Sequence, residues 1–177
     1  MTNCIKICPG DECEIQTILI CDELPCLKKG TLINTSVGTV PIESVKNGDF
    51  ILDQYNNEIE IINIKKEKRR TEKFYICKKN SFKQNVPNKD LTISALHIVK
   101  YNNKLFLPKL SKQFKKLPLQ KIEFYHIETN DYNNDWFKAN NLLVETFTDG
   151  KNKSHLKERM KRLKKIKNQT IKSIKSI

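Results

Sequence analysis

The sequence predicts an all-β domain followed by a basic helical tail. Three observations lead there. Short runs with alternating polar and apolar residues recur from Thr31 to about Phe147, separated by Asn, Gly and Pro turns. Asn-Asn pairs stand between several of these runs, at Asn56-Asn57, Asn102-Asn103 and Asn140-Asn141. Asn tolerates positive φ, so the pair substitutes for Asn-Gly at a tight hairpin turn. After Gly150 the apolar period changes: Leu156, Met160 and Leu163 fall at helical spacing.

The elements follow in order. Residues 1–25 carry no clear period; Pro9-Gly10 marks a turn and Ile15–Ile20 reads as a short strand in a loose leader. Thr31–Thr35 and Thr39–Ile42 flank Ser36-Val37-Gly38 as a hairpin. Phe50–Tyr55 and Glu58–Ile64 flank Asn56-Asn57. Lys65–Arg70 reads as the solvated end of a hairpin, and Phe74–Cys77 as a strand. Asn80–Lys89 is a polar loop. Leu91–Ser94 is a strand leading into His97. Val99–Tyr101 and Lys104–Leu107 form a hairpin, and Pro108–Phe114 a helical turn or two. Ile122–Thr129, Trp136–Ala139 and Leu142–Phe147 complete the strands. Ser154 stands as an N-cap for the tail helix.

Composition narrows the class. The chain has 177 residues, 30% of them charged, enough for one domain plus tails. No apolar run approaches the ~20 residues needed to span a bilayer. Asp11, Glu12 and Glu14 precede the first apolar stretch, without the basic start of a signal peptide, so an intracellular location is expected. The net charge of +13 is concentrated: residues 151–177 hold eleven Lys or Arg against Glu158 alone. Such a tail could contact nucleic acid or an anionic surface weakly through 151–177. It lacks interleaved aromatics for stacking on single strands.

Of six cysteines, Cys4, Cys8, Cys13, Cys21 and Cys26 lie early at irregular spacing, and no Cys-x-x-Cys pair occurs. Neither a zinc site nor a cofactor is expected. The early thiols read as reduced, and Cys77, within Phe74-Tyr75-Ile76-Cys77, as a small buried hydrophobe.

Three blocks then carry a family resemblance. The first runs from Cys26 through Gly30-Thr31 and a hairpin to Gly48-Asp49. The second is Leu91-Thr92-Ile93-Ser94-Ala95-Leu96-His97-Ile98-Val99. The third is Ala139-Asn140-Asn141-Leu142-Leu143-Val144-Glu145-Thr146. In order and spacing they resemble the Hint superfamily of hedgehog and intein autoprocessing domains, closest to its stand-alone bacterial and large-virus members. The resemblance implies a horseshoe-like all-β fold with both ends of the domain near its centre, and a virus-encoded or bacterial origin. It implies a leader at 1–25, a Hint domain at 26–149 and a tail at 150–177.

It also implies a chemistry. Cys26 would attack the carbonyl of Pro25 in an N–S acyl shift, forming a thioester opened by water or a small nucleophile. The substrate would be the chain's own N-terminal segment, in a single-turnover autoproteolysis by a monomer. His97 would protonate the departing amine, and Ser94, in the place where Thr is usual, would orient around the scissile carbonyl. His126 reads more readily as a strand histidine than a catalyst, and Glu145 as a proton acceptor near the site; both are second-line candidates. Glu145 and Thr146 stand where a splicing intein has His and a terminal Asn. Without that carboxamide no cyclisation is expected, hence no splicing. Pro25 stiffens the backbone that the acyl shift must distort. The competing reading is a degenerate Hint domain acting as a structural or binding module. On either reading the tail shares no site residue, so its deletion is expected to leave cleavage intact.

Overall fold

The computed structural model of the protein describes residues 24–130, 136–147 and 153–175. The reading of Pro9-Gly10 and Ile15–Ile20, and of Cys4, Cys8, Cys13 and Cys21, falls outside them. Among the described residues thirteen strands join in one continuous sheet. They are β1 (Leu27–Lys28), β2 (Leu32–Thr35), β3 (Gly38–Pro41), β4 (Phe50–Leu52), β5 (Glu58–Thr71), β6 (Phe74–Cys77) and β7 (Leu91–Ser94). β8 (Val99–Tyr101), β9 (Lys104–Phe106), β10 (Phe114–Lys116), β11 (Gln120–Thr129), β12 (Trp136–Ala139) and β13 (Leu142–Glu145) follow, then the helix α1 (Lys153–Lys175). The strand order is β10-β6-β7-β1-β11-β5-β4-β2-β12-β13-β8-β9, with β3 on β2, in a curled sheet.

Local chemistry accounts for the hairpins. Asn102 and Asn103 have φ of 46° and 59°, and Asn140 and Asn141 46° and 66°, the two left-handed residues that a two-residue primed turn requires. At Asn56-Asn57 only Asn56 is left-handed. There β4 stops at Leu52, because the buried Asp53 carboxylate accepts from the Tyr55 and Asn57 amides and builds a wider loop. Asn140 does more than turn the chain. Buried, it accepts from Leu32 N at 2.7 Å and donates to Asp90 O at 2.9 Å, clasping β2 and the approach to β7.

Two segments depart from the sequence reading. Lys65–Arg70 is the outer half of the fourteen-residue β5, paired along its length with β11. Both its faces are exposed there, so no alternation marks it; the partner backbone holds it, with Glu123 gathering Lys29, Lys66 and Lys68. Pro108–Leu110 is one 3-10 turn, and the chain then enters β10, which pairs with β6 rather than continuing the turn.

The main core is aliphatic, built around Leu27, Ile33, Ile51, Ile61, Leu91 and Ile93. Cys77 is fully buried within it, and burial pushes its thiol up to about 11, as expected of an inert packed cysteine. A second cluster joins α1 to the domain: Leu163 and Ile166 pack with Leu96, Ile98, Leu107 and Trp136. Burying each such side chain is worth about 1.5–3 kcal/mol, enough to hold a helix that would be marginal alone. The Arg162 guanidinium lies over the Trp136 ring at 5.3 Å. Ser154 lies inside the helix as described, one residue past its first.

Candidate active site

β1 is only two residues long, yet it is wedged between β7 and β11, with Leu27 opposite both Ile93 and Tyr125. That pairing carries Leu24, Pro25 and Cys26 across the centre of the sheet. β13 returns the far end of the domain to the same place, where Glu145 N donates to Ile98 O. Pro25, Cys26, Ser94, His97, His126 and Glu145 are consequently all buried and adjacent. The sequence-derived candidates do converge.

Their contacts divide along the Pro25–Cys26 peptide. On the carbonyl side, His126 Nδ1 lies 2.6 Å from Pro25 O. On the nitrogen side, the Cys26 amide donates to Ser94 Oγ at 3.0 Å, and Ser94 Oγ donates in turn to Leu24 O at 3.2 Å. Ser94 thus meets the nitrogen of the bond rather than its carbonyl. One residue further, His97 Nδ1 lies 3.4 Å from Cys26 O, and its Nε2 lies 3.1 Å from Glu145 O. Burial pushes the His97 imidazole down to about 4, against the opposing pull of Glu145. It is a neutral ring at pH 7.

Behind each histidine stands a glutamate. Glu128 Oε1 is 3.6 Å from His126 Nε2, an electrostatic contact longer than a hydrogen bond. Lys65 reaches the same oxygen at 2.8 Å, and Asn63 the other at 3.3 Å. Burial pushes the Glu128 carboxyl up, but His126, Lys65 and Asn63 outweigh it and hold the group at about 2. The Glu145 carboxylate points elsewhere. It accepts from Ile98 N at 2.9 Å and from Arg159 Nε and Nη2 at 3.0–3.1 Å. A carboxylate so occupied is poorly placed to accept a proton from the Cys26 side.

A cleft of about 490 Å³ opens onto the peptide, bordered by Leu24, Cys26, Ser94 and His126 and by Lys65, Arg70 and Lys73. Among the described residues no three His, Cys, Asp or Glu side chains gather as a metal site would need. Among the described residues no helix is long and apolar enough to cross a membrane.

The sequence understated two residues. His126 sits in a strand whose sequence any core could hold, and only the pairing of β1 beside β11 brings it to the Pro25 carbonyl. Arg159 was hidden among the tail's basic residues; its one signal is helical phase, four residues before Leu163 on the packed face.

The Hint domain family model matches residues 25–151. No curated protein sequence matches the chain. Several solved structures share the fold at low identity, among them the following three. The gp41-1 intein is 18% identical, with a TM-score of 0.51 over 70% of this chain and 100% of its own. A bacterial intein-like domain from Clostridium thermocellum is 14% identical, with a TM-score of 0.54 over 70% and 100%. A DnaB intein from Synechocystis is 11% identical, with a TM-score of 0.50 over 70% and 99%. With the three blocks in sequence and this architecture behind them, the chain belongs to the Hint domain family, of the hedgehog and intein superfamily.

Proposed function

We propose that the domain cleaves its own Pro25–Cys26 bond by an N–S acyl shift, without splicing. The observation that carries this reading is that both ends of one peptide bond are held: its oxygen by His126 at 2.6 Å, its nitrogen by Ser94 at 3.0 Å.

The steps follow from those contacts. His97 donates from Nε2 to Glu145 O, the shorter of its two contacts, which leaves Nδ1 basic on the Cys26 side. Nδ1 takes the thiol proton, and the thiolate attacks the Pro25 carbonyl carbon. Charge develops on Pro25 O, where His126 Nδ1–H already donates; such a donor is typically worth ~10²–10³ in rate. As the carbon–nitrogen bond breaks, the Cys26 nitrogen gains a lone pair and takes a proton through Ser94 Oγ or from His97. An imidazole that is reluctant to be charged gives its proton up readily. The product is a thioester between the Pro25 acyl group and Cys26 Sγ, beside a free α-amine. Water or a thiol entering by the cleft opens it and releases residues 1–25. Thr146, buried after β13, carries no carboxamide to cyclise, so the C-terminal side stays attached.

Intact mass of fresh protein, with and without dithiothreitol or hydroxylamine, tests the reading. Thiol-dependent release of residues 1–25 is expected, lost in Cys26→Ala, with no species ligating the leader to the tail. Release that persists in Cys26→Ala would overturn it. Intact mass that never changes under thiol favours the degenerate domain instead.

A further inference from the structure

We propose that the basic helix α1 is a working part of the site, with Arg159 the positioning residue that keeps the Glu145 carboxylate off His97; the kinetic part of this rests on the reading above.

Among the described basic side chains of α1, Arg159 is the buried one. Lys157, Lys161, Lys164, Lys165 and Lys167 are exposed, whereas Arg159 is only 4% exposed. Its guanidinium makes a fork on the Glu145 carboxylate and sends Nη2 to Leu96 O at 2.8 Å. The guanidinium also lies over the Phe147 ring, its carbon 5.8 Å from the ring centre. The partners bracket His97. Leu96 precedes it, Ile98 after it donates to the same Glu145 carboxylate, and Glu145 O receives His97 Nε2. One side chain from outside the sheet therefore fixes the backbone on both sides of His97 and the strand opposite.

The charged groups facing His97 are Glu145 from β13 and Arg159 from α1; Cys26, ahead of β1, meets it through its carbonyl. A buried carboxylate needs a cation or donors. With Arg159 in place Glu145 has them. Without it, Glu145 keeps one amide, and the nearest group able to supply a proton is the His97 ring. The ring would then be drawn toward the carboxylate, become more basic and lose its aim at Cys26. A lysine could restore the charge but not the planar fork together with the Leu96 contact.

The experiment follows His97 by NMR titration in a Cys26→Ala background, which keeps the chain intact, and cleavage in the Cys26 parent. Four proteins are compared: unaltered, Arg159→Lys, Arg159→Met, and Arg159→Met with Glu145→Gln. His97 should titrate low in the unaltered chain and move up by a unit or more in Arg159→Met. It should move partway in Arg159→Lys and return low in the double variant, where no charge remains. Thiol-induced cleavage should fall at least tenfold in Arg159→Met and recover in part in the double variant. A His97 titration unchanged across folded variants overturns the proposal; should Arg159→Met not fold, Arg159→Lys and the double variant decide by the same criterion. Cleavage at the unaltered rate after deletion of 151–177 also overturns it. If no variant cleaves, the unaltered chain included, the acyl-shift reading fails while the titration still decides the role of Arg159.

Discussion

Two histidines flank the segment from Pro25 to Cys26, each with a glutamate at its back, and the two pairs are wired differently. At His126 the Glu128 carboxylate faces the ring and is shared with Lys65. At His97 the Glu145 carboxylate is turned away to Arg159, and the ring meets the Glu145 carbonyl at Nε2 and the Cys26 carbonyl at Nδ1. The Glu128 carboxylate stands behind a His126 ring whose Nδ1 is turned to the Pro25 carbonyl, whereas His97 has a carbonyl oxygen near each nitrogen and burial keeps it neutral. On the proposed acyl shift, the same residue pair, Glu behind His, would serve in one ring to hold developing negative charge and in the other to carry a proton. What separates them is where the neighbouring cation sits: Lys65 beside the His126 pair at the sheet, Arg159 across the Glu145 carboxylate from the helix.

The sharpest way to break that comparison is glutamine. Gln retains an N–H donor of similar reach but is neither base nor acid. His97→Gln should lose ~10²–10⁴ of the thiol-induced cleavage rate, as loss of acid–base help does. His126→Gln should lose only about tenfold, while His126→Ala should lose ~10²–10³. Equal losses for the two Gln variants, timed by intact mass, would end the division of labour.

Ser94 lies between the two rings, on the amide nitrogen. Ser94→Ala should slow cleavage about tenfold, and Ser94→Thr should retain most of the rate, because the hydroxyl alone is used. A Thr variant as slow as Ala would mean that packing, not the hydroxyl, is at stake.

Acid stability sharpens the same contrast without any cleavage assay. His97 titrates near 4 in the folded chain against 6.5 unfolded, so the unfolded state binds the proton more readily between those values. Stability should fall as pH drops from about 6.5 toward 4, by an amount on the order of 3 kcal/mol. His97→Gln should flatten this window in thermal melts of the Cys26→Ala protein. A second loss should remain lower down. Glu128 and Glu123 are both held at about 2, against 4.5 for a free glutamate, so their contribution is present above 4.5 and lost toward 2.

The smallest effect belongs to the outer face of α1. Its exposed lysines should give weak, sequence-independent duplex binding whose affinity falls with salt by a slope of about −0.9 per phosphate contacted. Lys161→Gln with Lys165→Gln should weaken that binding by gel shift and leave cleavage unchanged. A change in cleavage would tie the outer face to the site as well as the inner one.

Much of the fold was legible because its signals are local. Leu91–Ser94, Phe74–Cys77 and Trp136–Ala139 are strands with the bounds that alternation and turn residues indicate. Asn102-Asn103 and Asn140-Asn141 turn as Asn pairs can, since backbone conformation at a tight turn depends on the two residues in it. The Hint architecture itself was legible from three blocks in order. Strand pairing was not: the Lys65–Arg70 run looks like solvated chain because both its faces are wet, and only its partner strand β11 makes it a strand.

By itself, then, the sequence determined the strand-rich domain, the basic helix and the set of groups around Cys26: Ser94, His97, His126 and Glu145. Only the tertiary structure decided which atom each one meets. The crossing of β1 between β7 and β11 puts His126 on the Pro25 carbonyl, Ser94 on the Cys26 nitrogen and His97 one residue beyond. It also decided that Arg159 is core while Lys157, Lys161, Lys164, Lys165 and Lys167 are surface. The reason is physical. Chemistry-bearing residue types are written into the chain one at a time, but hydrogen bonds across a sequence separation such as the 101 positions from Pro25 to His126 exist only once the sheet has closed.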